Sequence, residues 1–197
     1  GMKKNRYGNI EDIVENVTMV TPRGVIEHLT NMPRVSMGME PSRMAFGSEG
    51  NLGLITRAVI RIHKLPEVKR YASFVFADFA TGTAFLYDLM RAGVLPASIR
   101  LVDNVQFRFG QALKARPSGR DKMMSRVQQT VLESVKHFDL HQMSAATVVM
   151  EGSAAEVEFQ AEQIKRIAGQ HGGMSGGSHN GQRGYMLTYA IAYIRDF

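Results

Sequence analysis

Tyr71-Ala72-Ser73-Phe74-Val75-Phe76 is a short apolar and aromatic run, and residues Ala80 to Ala92 follow it almost at once. The first stretch reads as a strand, because it is brief and rich in side chains that suit a pleated surface. The second reads as a helix with Phe85, Leu86, Leu89 and Met90 on one face. Gly93 stops that helix and Pro96 follows closely. Ala97-Ser98-Ile99-Arg100-Leu101-Val102 reads as the next strand. Further on, Ala146 to Glu151 reads as a strand, and Gly152-Ser153 leads into a long helix from Ala154 to Gln170, ended by His171-Gly172-Gly173. Strand, helix and strand, then strand and helix, predict an α+β layer with the helices on one face of a sheet.

Working outward, Val127 to Phe138 reads as a helix, with Val127, Val131 and Val135 spaced by four. Gly176 to Gly184 reads as a loop and Tyr185 to Arg195 as an apolar helix. Towards the N-terminus, Asn16 to Thr21 reads as a strand. Pro22-Arg23-Gly24 makes a turn, and Val25 begins a returning strand. Residues 31–41 hold two prolines and suggest an irregular loop. Ile55 to Ile62 reads as a strand that ends at Leu65-Pro66-Glu67. A domain boundary is expected there, dividing the chain into residues 1–65 and 66–197.

Composition bounds the function classes. The 197 residues are 44% hydrophobic, which suits a folded chain with a real core. No apolar run approaches the ~20 residues of a membrane span. No secretory signal is expected, because Gly1-Met2-Lys3-Lys4-Asn5-Arg6-Tyr7-Gly8 lacks an apolar core behind its charges. With no cysteine there is no disulfide and no thiolate chemistry. Thirteen methionines and no tryptophan suggest a core of adaptable side chains. The formal charge of +6 permits nucleic-acid or phosphate binding. Its densest run, Lys114, Arg116, Arg120, Lys122 and Arg126, reads as a solvated loop, since it lacks the aromatics or reading helix of a nucleic-acid module.

Four places could carry chemistry. Gly47-Ser48-Glu49-Gly50-Asn51-Leu52-Gly53-Leu54-Ile55-Thr56 brings glycines to positions 47, 50 and 53, where the backbone can approach a ligand and offer its amides. It can equally be a tight turn before a strand, and spacing alone favours the turn. Arg195, at the end of an apolar stretch, can present a bidentate fork to a phosphate, or simply complement a negative helix end. Arg100 sits among apolar neighbours in a strand that reads as buried, so it needs a partner; Asp78 and Asp103 are available for an ion pair, with a ligand contact as the other option. His171 and His179 flank a glycine-rich stretch, but their spacing matches no zinc pattern.

Several stretches together resemble one family. They are Met2-Lys3-Lys4-Asn5, Tyr7-Gly8-Asn9-Ile10-Glu11-Asp12, Met19 to Gly24, Gly47-Ser48-Glu49-Gly50 and Leu52-Gly53. Downstream come Pro96-Ala97-Ser98-Ile99-Arg100-Leu101, Asp103-Asn104, Asn180-Gly181-Gln182-Arg183-Gly184-Tyr185 and Ala192 to Asp196. This pattern is similar to an internal piece of the alkylglycerone-phosphate synthases, within the vanillyl-alcohol-oxidase-type FAD superfamily. The Ser-Glu-Gly-x-Leu-Gly motif is shared by many flavin oxidases, whereas the stretches around Arg100 and Arg183 are more specific. Asn51 departs from the family, where threonine is usual.

The resemblance implies that residues 1–65 are the second half of a FAD-binding domain. It implies that residues 66–197 are most of an α+β cap domain, with an antiparallel sheet and flanking helices. It implies exchange of the acyl chain of acyl-dihydroxyacetone phosphate for a long-chain fatty alcohol through a flavin N5 adduct, in ether-lipid synthesis. Glu49, Gly50, Asn51, Leu52, Gly53, Leu54 and Ile55 fall on a FAD-contact segment. Arg195 falls on the residue that binds the substrate phosphate, and Arg100 on an arginine that supports activity. The upstream diphosphate loop and the downstream catalytic tyrosine and histidines are expected outside this chain, which is expected to be inactive alone and to bind FAD weakly or not at all. A homodimeric parent, peripheral membrane association and a peroxisomal or glycosomal location also come from the resemblance; no nucleic acid is expected. Two other readings stay open: a piece of another FAD-linked hydroxy-acid dehydrogenase or oxidase, and a non-enzymatic basic binding module.

Overall fold

The computed structural model describes residues 2–27, 40, 42–112, 139 and 141–194. The basic run from Lys114 to Arg126 and the helix expected at Val127 to Phe138 lie outside the described residues. Two compact units divide the chain, Gly1–Leu65 and Pro66–Phe197.

The first unit contains α1 (Lys4–Tyr7), α2 (Ile10–Ile13), β1 (Val14–Thr21), β2 (Gly24–Ile26), α3 (Ser42–Ala45) and β3 (Leu54–Ile60). β1 and β2 form the expected hairpin, in register from Met19↔Ile26 to Thr21↔Gly24. Thr21 Oγ1 closes its turn, donating to the Gly24 carbonyl at 2.8 Å and accepting from Arg23 N at 3.2 Å. β3 pairs with the other edge of β1, giving an antiparallel sheet of order β2-β1-β3. The buried core is small: Val17, Met19 and Ala45, with Val14 and Ile26 packed against it.

The second unit contains β4 (Val68–Phe76), α4 (Phe79–Arg91), β5 (Ser98–Val102), α5 (Asn104–Ala112), β6 (Ser144–Gly152), α6 (Ala154–Gln170), β7 (Met174–Ser175) and α7 (Gly177–Ile194). Its sheet is antiparallel throughout, in the order β5-β6-β4-β7. One face carries Phe74 and Phe76 of β4 with Ala146, Val148 and Met150 of β6. These pack on Phe85 and Leu89 of α4 and on Val157, Ile164, Ile167 and Ala168 of α6. The rings of Phe76 and Phe85 stack with centroids 4.9 Å apart.

Local sequence sets the helix boundaries. Asp78 caps α4 by accepting from Thr81 N at 2.7 Å. Gly93, at φ 69°, ends it, with Val94 N returning to the Leu89 carbonyl at 3.3 Å. Ser153 and Glu156 form a capping box at the start of α6, with Ser153 N donating to Glu156 Oε2 at 2.8 Å.

The structure corrects the expectation that helices cover one sheet face only. α7 packs across β4 and β6 on the other face. The expected loop from Gly176 to Gly184 is also corrected, because α7 begins at Gly177. Its glycines mark close packing rather than a turn. A Cβ on Gly181 would run into the backbone of Ala72, and one on Gly184 would run into the side chain of Thr147. β6 is therefore covered on both faces, which explains why it reads as a continuous apolar run rather than an alternation.

Candidate functional site

The link between α3 and β3 holds the segment Glu49–Ile55 in a fixed shape. Ser48 returns to the Ala45 carbonyl through its amide at 3.3 Å and its hydroxyl at 2.9 Å, and Asn51 N donates to the Ser48 carbonyl at 2.8 Å. Gly47, Glu49 and Gly50 all have positive φ, at 74°, 49° and 82°. For Glu49 that is a strained backbone, since L side chains enter this region at a cost.

The glycines divide into two kinds. A Cβ on Gly47 or Gly50 would meet nothing within 4 Å, so these positions look onto open space. Gly53 is pressed against β1, where a Cβ would lie 2.5 Å from the Val20 carbonyl oxygen. Glu49, Gly50, Asn51, Leu52, Leu54 and Ile55 are exposed. The amides of Glu49, Gly50 and Leu52 make no hydrogen bond among the described residues. An exposed stretch of unused backbone donors, bared at Gly50, suits the carbonyl or phosphate oxygens of a flavin nucleotide. The residues present therefore fit one side of such a group.

Arg100 is not where the sequence suggested. It is exposed on β5, an edge strand, opposite Thr147 of β6. It makes no ion pair among the described residues. The two carboxylates expected to partner it are engaged elsewhere. Asp78 caps α4, and Asp103 Oδ1 accepts from Gln106 N at 2.8 Å at the start of α5. The physical reason is the sheet edge: α7 packs on β4 and β6, while β5 has a sheet neighbour on one side only and leaves Arg100 exposed among the described residues.

Arg195 follows the last described residue of α7, Ile194, and lies outside the described residues. His171 Nε2 lies 2.9 Å from Asp88 Oδ2, tying the end of α6 to α4. His179 is exposed on α7. Among the described residues no group of three His, Cys, Asp or Glu side chains suits a metal ion, and no helix is long and apolar enough to cross a membrane.

Sequence reasoning missed two polar features. Arg183 of α7 reaches the Gly110 carbonyl of α5, itself a helix that went unpredicted. Glu151, at the end of an otherwise apolar strand, is 1% exposed and lies 3.7 Å from Lys69 Nζ. A carboxylate closing a run as apolar as Ala146 to Met150 was the available signal, because such a group needs a partner.

Comparison with known proteins settles the family. Residues 65–197 match the FAD linked oxidases, C-terminal domain. The chain belongs to that family. Over its whole length this FAD-linked oxidase segment is 45% identical to the alkyldihydroxyacetonephosphate synthase of Caenorhabditis elegans, covering 33% of that protein. It is 31% identical to the protein of the same name from Trypanosoma brucei brucei, again over 100% of the chain and 32% of that protein. A solved alkyldihydroxyacetonephosphate synthase superposes with a TM-score of 0.79 at 27% identity, covering 100% of this chain and 36% of the other. The chain thus spans about a third of the length of the curated relatives it matches. The α+β fold with antiparallel sheets agrees with both the family and the solved structure.

Proposed function

We propose that this chain is part of an alkyldihydroxyacetonephosphate synthase, which exchanges the acyl chain of acyl-dihydroxyacetone phosphate for a fatty alcohol. The observation that carries the reading is similarity over the full chain at 45% identity, rather than at one shared motif. Residues 1–65 serve as the second half of the FAD-binding domain and residues 66–197 as most of the cap. When bound, FAD supplies the nucleophilic N5 chemistry of the exchange. The backbone donors of Glu49–Ile55 hold one side of it. Arg195 grips the substrate phosphate through a bidentate fork. Arg100 supports activity by organising the site and takes no part in bond making. The same resemblance supports a homodimeric parent at a peroxisomal or glycosomal membrane.

Because the chain spans a third of its relatives, we further propose that it performs no alkyl transfer by itself. The test uses the full-length parent and this chain side by side. Labelled fatty alcohol should enter the lipid product with the parent and not with the chain. A parent that reduces dyes with hydroxy acids and transfers no alkyl group would replace this reading with a dehydrogenase. Arg195→Ala in the parent should weaken apparent affinity for acyl-dihydroxyacetone phosphate by about 1.5–3 kcal/mol, a charge-assisted hydrogen bond. Unchanged affinity would remove Arg195 from the phosphate site.

A further inference from the structure

Every residue of β6 is buried except Thr147, which is half-buried. Thr147 lies on the face that α7 covers, since a Cβ added to Gly184 would press on its methyl group and lie 3.8 Å from its Oγ1. Solvent therefore reaches the middle of the sheet at this one position of the strand. The Thr147 hydroxyl makes no hydrogen bond among the described residues. Arg100 of β5 pairs in register with Thr147 and so shares its face of the sheet. The exposed Arg100 guanidinium has no ion pair among the described residues.

Arg183 borders the same opening from α7, where it directly precedes Gly184. Its Nη2 donates to the Gly110 carbonyl of α5 at 2.9 Å. A guanidinium carries five N–H donors. Among the described residues this is its only hydrogen bond, and no carboxylate there balances its charge. Yet the group is half-buried, and burial pushes its pKa down. The acids closest to hand are engaged: Asp103 caps α5, and Glu151, further along β6, lies beside Lys69. A neutral donor would serve one carbonyl as well, without the cost of drawing a charge out of water. The glycines of Asn180–Tyr185 are explained by close packing on the sheet, but Arg183 exceeds what its contact with Gly110 requires.

We propose that Arg183, Thr147 and Arg100 form the seat of an oxyanion, a carboxylate or a phosphate, at the opening over Thr147. Arg183 supplies a fork of donors from the helix, Arg100 a second cation from the sheet edge, and Thr147 a hydroxyl from the strand beside Arg100 and beneath Gly184. A carboxylate or a phosphate accepts such a set and supplies the missing counter-charge, whereas a fatty alcohol brings none. The source of the anion rests on the function proposed above, whose reaction frees a fatty carboxylate from a substrate that also bears a phosphate.

The experiment measures binding by equilibrium dialysis to the full-length parent with FAD bound. The labelled probes are hexadecanoate, dihydroxyacetone phosphate and, as an uncharged control with the same tail, hexadecanol. Thr147→Val keeps the shape of the side chain and removes the hydroxyl, and should weaken binding of an anion about three- to tenfold. Arg183→Lys keeps the charge and a donor for Gly110 but loses the fork, and should weaken the same anion about tenfold. Arg100→Gln should weaken that anion too, and hexadecanol should bind all variants as it binds the wild type. A loss on hexadecanoate assigns the seat to the fatty carboxylate, and a loss on dihydroxyacetone phosphate assigns it to the phosphate. A wild type that binds neither anion, unchanged anion binding in any of the variants, or an equal loss on hexadecanol would overturn the proposal. Thr147→Val decides the matter if an arginine variant does not fold. Alkyl transfer by the wild type is followed separately, so a parent that transfers no alkyl group removes the functional reading while the dialysis still decides the seat.

Discussion

Arg183 of α7 donates through Nη2 to the carbonyl oxygen of Gly110, 2.9 Å away in the last turn of α5. The contact ties α7 to α5 through a charged donor. Burial pushes its pKa down, yet a guanidinium remains charged at any ordinary pH. Arg183→Ala is expected to lower stability by about 1.5–3 kcal/mol, the range for a hydrogen bond from a charged donor. Urea denaturation followed by circular dichroism checks this, and a loss below the scatter of surface substitutions would mean that α5 holds without the contact.

Two helical glycines should answer the same substitution with opposite signs. Gly181→Ala places a methyl group against the backbone of Ala72, which cannot turn aside. A cost of about 1–3 kcal/mol is expected from overpacking. Gly169, near the end of α6, is exposed and has nothing within 4 Å of the added atom. Gly169→Ala should stabilise by about 0.4–1 kcal/mol through reduced freedom of the unfolded chain. Melting curves of the two variants should move in opposite directions.

The cap of α4 gives a pH signature. The Thr81 amide is the chief cause holding the Asp78 carboxyl below its ordinary value of 3.8. A depressed carboxylate contributes its stability above the unfolded value and loses it as pH falls through the folded one. The stability gap between the wild type and Asp78→Ala should therefore be full at neutral pH and close as pH falls below 3.8. Asp78→Asn should keep the cap and flatten the pH dependence. A gap that persisted unchanged in acid would contradict the assignment.

In the loop at Gly47 to Gly53, proposed above to hold one side of FAD, Gly50→Ala separates strain from ligand contact. The added methyl meets nothing, so any loss in the free protein comes from φ 82° alone, and about 1–2 kcal/mol is expected. In the full-length parent the same change should also lower the FAD retained through purification, measured by absorbance. Retention equal to that of the wild type would return the loop to the status of a plain turn.

Arg100→Ala should leave stability nearly untouched, within about 0.5 kcal/mol, because the side chain is exposed and unpaired among the described residues. In the parent it should still reduce alkyl transfer. Loss of folding in place of loss of rate would restore the structural ion pair as the better account.

What the sequence disclosed depended on whether a signal was local. The strand at Tyr71 to Phe76, the helix read at Ala80 to Ala92 and the long helix after Gly152-Ser153 are visible as short patterns, and each forms within a few residues of where it was read. The glycines of 176–184 mislead because Gly181 answers to Ala72 and Gly184 to Thr147, both in strands distant in the chain. Arg100 reads as buried because its neighbours Ile99 and Leu101 are apolar, while its exposure follows from strand order, which no local pattern encodes. For the loop at Gly47 to Gly53, spacing suggested a turn. The open space at Gly47 and Gly50, against the tight contact at Gly53, shows that packing accounts for the third glycine and not for the first two.

The place of β6 between β5 and β4 governs the order in which the second unit can be assembled. β4 and β5 are synthesised first, yet neither pairs with the other in the finished sheet. Each waits for Ser144 to Gly152, which must enter between two strands already made. A ribosome that has delivered residue 102 has therefore produced two strands with unpaired edges and no common partner. Such edges invite pairing with other chains, and pairings distant in sequence form slowly. Between translation of Val102 and of Gly152, both strands therefore keep edges that only a later segment can cover.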